Sequence, residues 1–118
     1  MAMKEARAIW QGEGLRFTGK VPSGATLTFD HEGETFRPME ALMLGLAGCT
    51  AMDVIDILRK KRQPVAGLEV IAQGQTAEEH PHKYVDIEIT YVITGDGIDP
   101  AAVERAIQLS ETKYCGAM

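Results

Sequence analysis

Between Lys4 and Asp30 apolar and polar residues alternate with a period of two, the spacing of strands whose successive side chains point to opposite faces. Ala6, Ala8 and Trp10 share one face, and after the Gly12-Glu13-Gly14 turn Leu15, Phe17 and Gly19 alternate with Arg16, Thr18 and Lys20. A second turn at Pro22-Ser23-Gly24 leads into Ala25, Leu27 and Phe29, and Asp30-His31-Glu32-Gly33 ends the run. The pattern predicts an antiparallel meander with one face buried.

At Pro38 the period changes. Proline suits the first helical position, where no N–H is needed, and Glu40 puts negative charge in the first turn, where the helix dipole favours it. The segment MEALMLGLAGCTAMDVIDILRKKR is apolar on nearly every side as far as Met52, then amphipathic through Val54, Ile55 and Leu58. A helix without a wet face needs protein around it, which predicts a central helix wrapped by the sheet or by a partner subunit. Arg59, Lys60, Lys61 and Arg62 place cations at its C-terminal end before Pro64, and a solvated helix terminus is the simplest reading of that run.

Two further strands are expected, Leu68 to Thr76 and Tyr84 to Thr94, joined by the polar AEEHPHK; the second aligns Val85, Ile87, Ile89 and Tyr91 on one face. Asp96-Gly97 makes a turn, Asp99 an N-cap and Pro100 a first helical residue, with Ala102, Val103, Ala106, Ile107 and Leu109 as the apolar side of a second helix. Three strands, a helix, two strands and a helix make an α+β chain.

Composition narrows the function classes. At 118 residues, 45% hydrophobic and 25% charged, the chain suits a single globular domain with one core. A net charge of −5 without a long basic stripe argues against nucleic acid as a partner. The N terminus develops no apolar signal-peptide core, and the stretch from Met39 to Met52 is shorter than the roughly 18 to 20 residues of a membrane span, so a cytoplasmic protein is expected. His31, His80 and His82 lie in turns or arms without metal-ligand spacing, and neither a metal nor another cofactor is expected.

The two cysteines, Cys49 and Cys115, have no C-x-x-C spacing. Asp53 and Asp56 follow Cys49 at plus four and plus seven, roughly on its helical face, where carboxylates oppose the thiolate unless a cation offsets them. Gly45 and Gly48 allow a kink or the close approach of another element. Taken alone, a cysteine inside an apolar helix is more often a packed core residue than a nucleophile.

Read together, PMEALMLGLAGCTAMDVIDILRKKR and ERAIQLSETKYCGAM resemble the OsmC/Ohr family of organic hydroperoxide reductases and osmotically inducible proteins. The similarity is greatest to the branch with its first cysteine in GCTAMDV and its second in KYC. The resemblance implies an OsmC-like fold over residues 1–118, an antiparallel sheet wrapped around the long central helix and completed in an intertwined homodimer. It implies that Cys49 attacks an organic hydroperoxide to give a sulfenic acid, that Cys115 resolves it as a disulfide, and that an external thiol or dithiol reduces the pair. The family's glutamate directly follows the helix-starting proline, whereas here Met39 stands there and Glu40 comes one place later, about 100° around the helix. For the family's activating arginine the candidates are Arg16 and Arg37. Leu42, Met43, Leu46 and Met52 favour an organic peroxide over hydrogen peroxide. Because the chain stops three residues after Cys115, truncation at the C terminus, or completion by another subunit, is expected. Two functions stay open beside the peroxidase: a binding module for a small apolar ligand, and a structural stress-related homodimer without turnover.

Overall fold

The computed structural model describes residues 3–114, the side chains of the last two excepted. Its backbone contacts divide the chain into two compact units, Met1–Leu42 and Met43–Met118, with the boundary inside the long helix.

In the first unit, strands β1 (Arg7–Trp10), β2 (Phe17–Lys20) and β3 (Thr26–Phe29) form an antiparallel sheet in that order. Trp10 pairs with Phe17 and Phe17 with Phe29, while Gly19 lies between Ala8 and Leu27, so the predicted apolar face is assembled in register. A Cβ at Gly19 would sit 2.7 Å from the Phe29 ring, which explains the glycine. Burial departs from expectation. All of β1 is exposed, Trp10 at 57%, because three strands of four residues bring no second layer of their own to cover that face.

Helix α1 (Pro38–Lys60) starts at the predicted proline. The Arg37 N–H donates to Glu40 Oε1 at 2.9 Å, which is the back-reaching half of a capping box. At the other end the helix stops before the basic run is complete. Arg62 takes φ 57°, its N–H bonds the Arg59 carbonyl at 3.0 Å, and the Gln63 N–H bonds the Leu58 carbonyl at 2.9 Å, a Schellman closure with arginine where glycine is usual. The 18-residue apolar window of α1 has mean hydropathy 1.8, long and apolar enough to cross a membrane. The expectation of too short a stretch therefore needs correcting, since Val54, Ile55, Ile57 and Leu58 prolong it across Asp53 and Asp56. Its face carrying Thr50, Val54 and Leu58 is buried against protein.

In the second unit, β4 (Gly67–Thr76) and β5 (Tyr84–Thr94) pair antiparallel, with Leu68 opposite Ile93 and Val70 opposite Tyr91. Val54 and Leu58 of α1 meet Ala102 and Ala106 of helix α2 (Pro100–Leu109), and Leu68, Tyr91 and Ile93 pack against this core. The predicted face of β5 is thus covered at one end only, and Val85 at the other is 60% exposed. Asp99 caps α2 as expected, accepting from the Ala101 N–H at 3.0 Å. Beyond α2 the chain does not simply end its helix: Ser110–Tyr114 form a π-helical turn, which the sequence pattern did not predict.

Gly95 joins β5 to the α2 capping turn with φ 156°. A side chain there would run into the Pro64 carbonyl and the Ile98 side chain. Gly95→Ala is expected to lower stability by roughly 2 kcal/mol or more, seen as a lower urea midpoint at unchanged slope.

Candidate active site

Successive helical residues turn about 100°, so Leu42, Gly45, Cys49 and Met52 fall on one stripe of α1 while Thr50, Val54 and Leu58 fall on another. The first stripe is open: Leu42 is 64% and Met52 73% exposed, and a Cβ at Gly45 or Gly48 would meet nothing within 4 Å. Neither glycine interrupts α1. Cys49 is half-buried at the edge of this open stripe.

The second stripe holds a polar network. Thr50 Oγ1 lies 2.7 Å from Tyr91 Oη and 2.9 Å from Ser110 Oγ, and Ser110 Oγ donates to Asp53 Oδ2 at 3.0 Å. With its one proton given to Asp53, Ser110 can only accept from Thr50, and Thr50 in turn can only accept from Tyr91. The hydroxyls therefore form a directed chain from Tyr91 through Thr50 and Ser110 to the Asp53 carboxylate. Thr50 and Ser110 are fully buried, so each needs these partners to offset its desolvation. The carboxylates placed on the Cys49 face are thus engaged: Asp53 accepts from Ser110, and Asp56 pairs with Lys60 at 2.9 Å. Asp53 and Asp56 also border a cavity of about 320 Å³ with Ile57, Lys60 and Leu109.

The other candidates lie in the first unit. Arg16 Nη2 reaches Glu34 Oε2 at 2.6 Å and Asp30 Oδ2 at 3.4 Å. The hydrogen bond and charge of Glu34 raise the Arg16 pKa further, outweighing burial, so its guanidinium stays charged. Asp30 is 4% exposed. Burial is the largest influence on its carboxyl and raises the pKa, yet main-chain bonds from Gly33, Thr35 and Glu34 together with the Arg16 charge bring it below the ordinary 3.8. Arg37 and Glu40 meet through the Arg37 main chain, and both are exposed. Cys115 lies outside the described residues. Among those described, no group of three or more His, Cys, Asp or Glu is disposed to hold a metal ion.

The Asp30 arrangement predicts an acid limb. A carboxyl whose folded pKa is depressed stabilises the fold above its unfolded pKa, and that contribution is lost as pH falls from near 3.8 through the lower folded value. Asp30→Asn is expected to destabilise the protein at neutral pH, and the gap to wild type should close as pH falls below that window. Urea midpoints collected against pH measure it.

Comparison with known proteins gives the family. A family model described as OsmC-like protein matches residues 31–118. The chain belongs to the OsmC family. Protein YhfA of Escherichia coli K12 is 39% identical over 113 residues, covering 94% of this chain and 84% of its own length. The crystal structure of a hypothetical protein from Aquifex aeolicus superposes with TM-score 0.88 at 35% identity, covering 99% of this chain and 85% of that one. An organic hydroperoxide resistance protein from Legionella pneumophila shares the fold at TM-score 0.67 but only 11% identity, covering 99% and 87%. The expected OsmC resemblance and α+β fold are thereby established. The segment matched to the OsmC family includes Arg37, Glu40, Cys49 and Cys115, while Arg16 lies before it.

Sequence reasoning missed Thr50, Tyr91 and Ser110. A signal was present: Thr50 is in helical phase with Val54 and Leu58, and Ser110 with Ala102 and Ala106, so each puts a hydroxyl on a core stripe.

Proposed function

We propose that this OsmC-family chain is a thiol-dependent peroxidase for organic hydroperoxides, with Cys49 as attacking and Cys115 as resolving sulfur. The observation carrying the reading is the position of Cys49, within the family-matched segment and half-buried beside the open apolar stripe of α1. The Cys49 thiolate attacks the terminal peroxide oxygen, the O–O bond breaks, and the alkoxide leaves and takes a proton from water to become the alcohol, leaving a sulfenic acid on Cys49. The Cys115 thiol attacks that sulfur, water leaves, and a disulfide forms. An external dithiol returns both cysteines to thiols by two exchanges. Such a cycle belongs in a reducing compartment, the cytoplasm. Apolar groups on the stripe favour an alkyl or aryl peroxide, since burying carbon gains about 25 cal/mol per Å² and hydrogen peroxide has none to bury.

Open apolar surface on α1 and on the β1–β3 sheet supports a homodimer in which a second copy covers it. Arg16 or Arg37 would supply the cation favouring the thiolate, with Glu40 as orienting carboxylate. The engagement of Arg16 by Glu34 and Asp30, and of Glu40 by the Arg37 N–H, favours a second reading in which the protein binds a small apolar ligand without turnover.

Steady-state consumption of cumene hydroperoxide and hydrogen peroxide, with dihydrolipoamide as reductant, separates the two. The peroxidase should consume the organic peroxide about tenfold faster or more, the effect of burying one aryl group. Rates no higher than those of the reductant alone would leave the ligand-binding reading.

A further inference from the structure

We propose that the Thr50–Ser110 hydrogen bond is a latch that holds the start of the π-helical turn leading to Cys115 against the Cys49 turn, making Thr50 and Ser110 positioning residues for disulfide formation. This deepens the two-cysteine reading above and rests on it.

Thr50 directly follows Cys49, and Asp53 lies one turn further along α1. Together they grip one side chain, Ser110, by bonds of 2.9 and 3.0 Å across 60 and 57 residues of sequence. Ser110 stands where α2 ends and the π-helical turn begins, with backbone φ −60° and ψ −48° and its N–H shared between the Ala106 and Ile107 carbonyls. The latch thus fixes the first residue of the segment whose sixth residue is Cys115. Five residues reach at most about 17 Å when fully extended. Packing of Ala102 and Ala106 on Val54 and Leu58 brings α2 to α1, and the grip at Ser110 carries that anchor to the end of α2, so the tether to Cys115 is short and loop-closure entropy raises the local concentration of one thiol at the other. A π-turn at this point fits, since such wide turns often mark functional positions in helices.

The hydroxyls are also an unusual investment for a core. Both are fully buried beside Val54, Leu58 and Ala106, where an apolar residue would pack without needing partners. The network is fully satisfied and directed, which restricts Ser110 to one orientation. In the step it assists, the Cys49 sulfenic acid and the Cys115 thiol give the disulfide and one water.

The test is a redox titration of the full chain in reduced and oxidised glutathione, reading the Cys49–Cys115 disulfide by peptide mapping. Thr50→Val keeps the side-chain shape and removes the Thr50 bond while leaving Ser110 bonded to Asp53, Thr50→Ser keeps the hydroxyl, and Ser110→Ala removes both bonds. Ser110→Ala should lower the equilibrium constant for the disulfide about tenfold or more and the double variant no further, Thr50→Val should lower it about fivefold, and Thr50→Ser should stay within about twofold of wild type. A merely structural loss weakens oxidised and reduced forms alike and leaves that constant unmoved. The latch is overturned if both hydroxyl-free variants titrate like wild type, if Thr50→Ser falls as far as Thr50→Val, or if wild type forms no Cys49–Cys115 disulfide. A wild type that forms this disulfide in glutathione and whose latch variants shift as stated, yet ignores cumene hydroperoxide, upholds the latch and removes the peroxidase.

Discussion

Cys49→Ser is expected to lower the consumption of organic hydroperoxide by at least about three orders of magnitude, to the level of the reductant alone. A serine hydroxyl is hardly ionised at neutral pH and is a poor nucleophile toward peroxide oxygen, so no residual route runs through that position. The fold should survive, because Cys49 is half-buried at the edge of the open stripe and oxygen is smaller than sulfur. Unchanged thermal unfolding beside lost turnover would locate the effect in chemistry. Cys115→Ser is expected to behave differently: the first equivalent of peroxide still reacts, a sulfenic acid trappable by dimedone accumulates on Cys49, and later turnovers slow.

Leu58→Ala is expected to cost roughly 2–5 kcal/mol, the largest stability effect of a single truncation among the described residues of the second unit. Leu58 is fully buried and belongs to the cluster in which α1 meets Ala102 and Ala106 of α2. Those small partners have no side chain long enough to fill the vacated volume, so a cavity persists rather than collapsing. The same change also weakens the terminal turn, since the Leu58 carbonyl closes the helix by accepting from the Gln63 N–H. The urea midpoint should fall markedly at unchanged slope, whereas Met52→Ala on the open stripe should leave monomer stability nearly unaltered.

Local chemistry made the elements legible. Pro38 and the Asp99-Pro100 pair set both helix starts, and the two-residue period put Trp10, Phe17 and Phe29 in the register found. Burial was less legible, because alternation shows which residues share a face and not what covers it; the exposed Trp10 and Val85 are the result. The helix stop at Lys60 was missed by two residues because a left-handed Arg62 is not signalled as a glycine would be. Cys49 stood out as a candidate through its family resemblance, but the hydroxyl network beside it did not. Thr50 meets Tyr91 across 41 residues and Ser110 across 60, and pairings at that separation depend on tertiary packing rather than on local pattern. The hydroxyls on the core stripes could have flagged that each required a partner without naming it.

The most direct measurement is a single turnover. Reduced protein receives one equivalent of cumene hydroperoxide, its remaining thiols are counted, and its peptides are mapped. Loss of both thiols, one equivalent of cumyl alcohol and a Cys49–Cys115 disulfide are expected. Two intact thiols beside unconsumed peroxide would rule out the two-cysteine cycle.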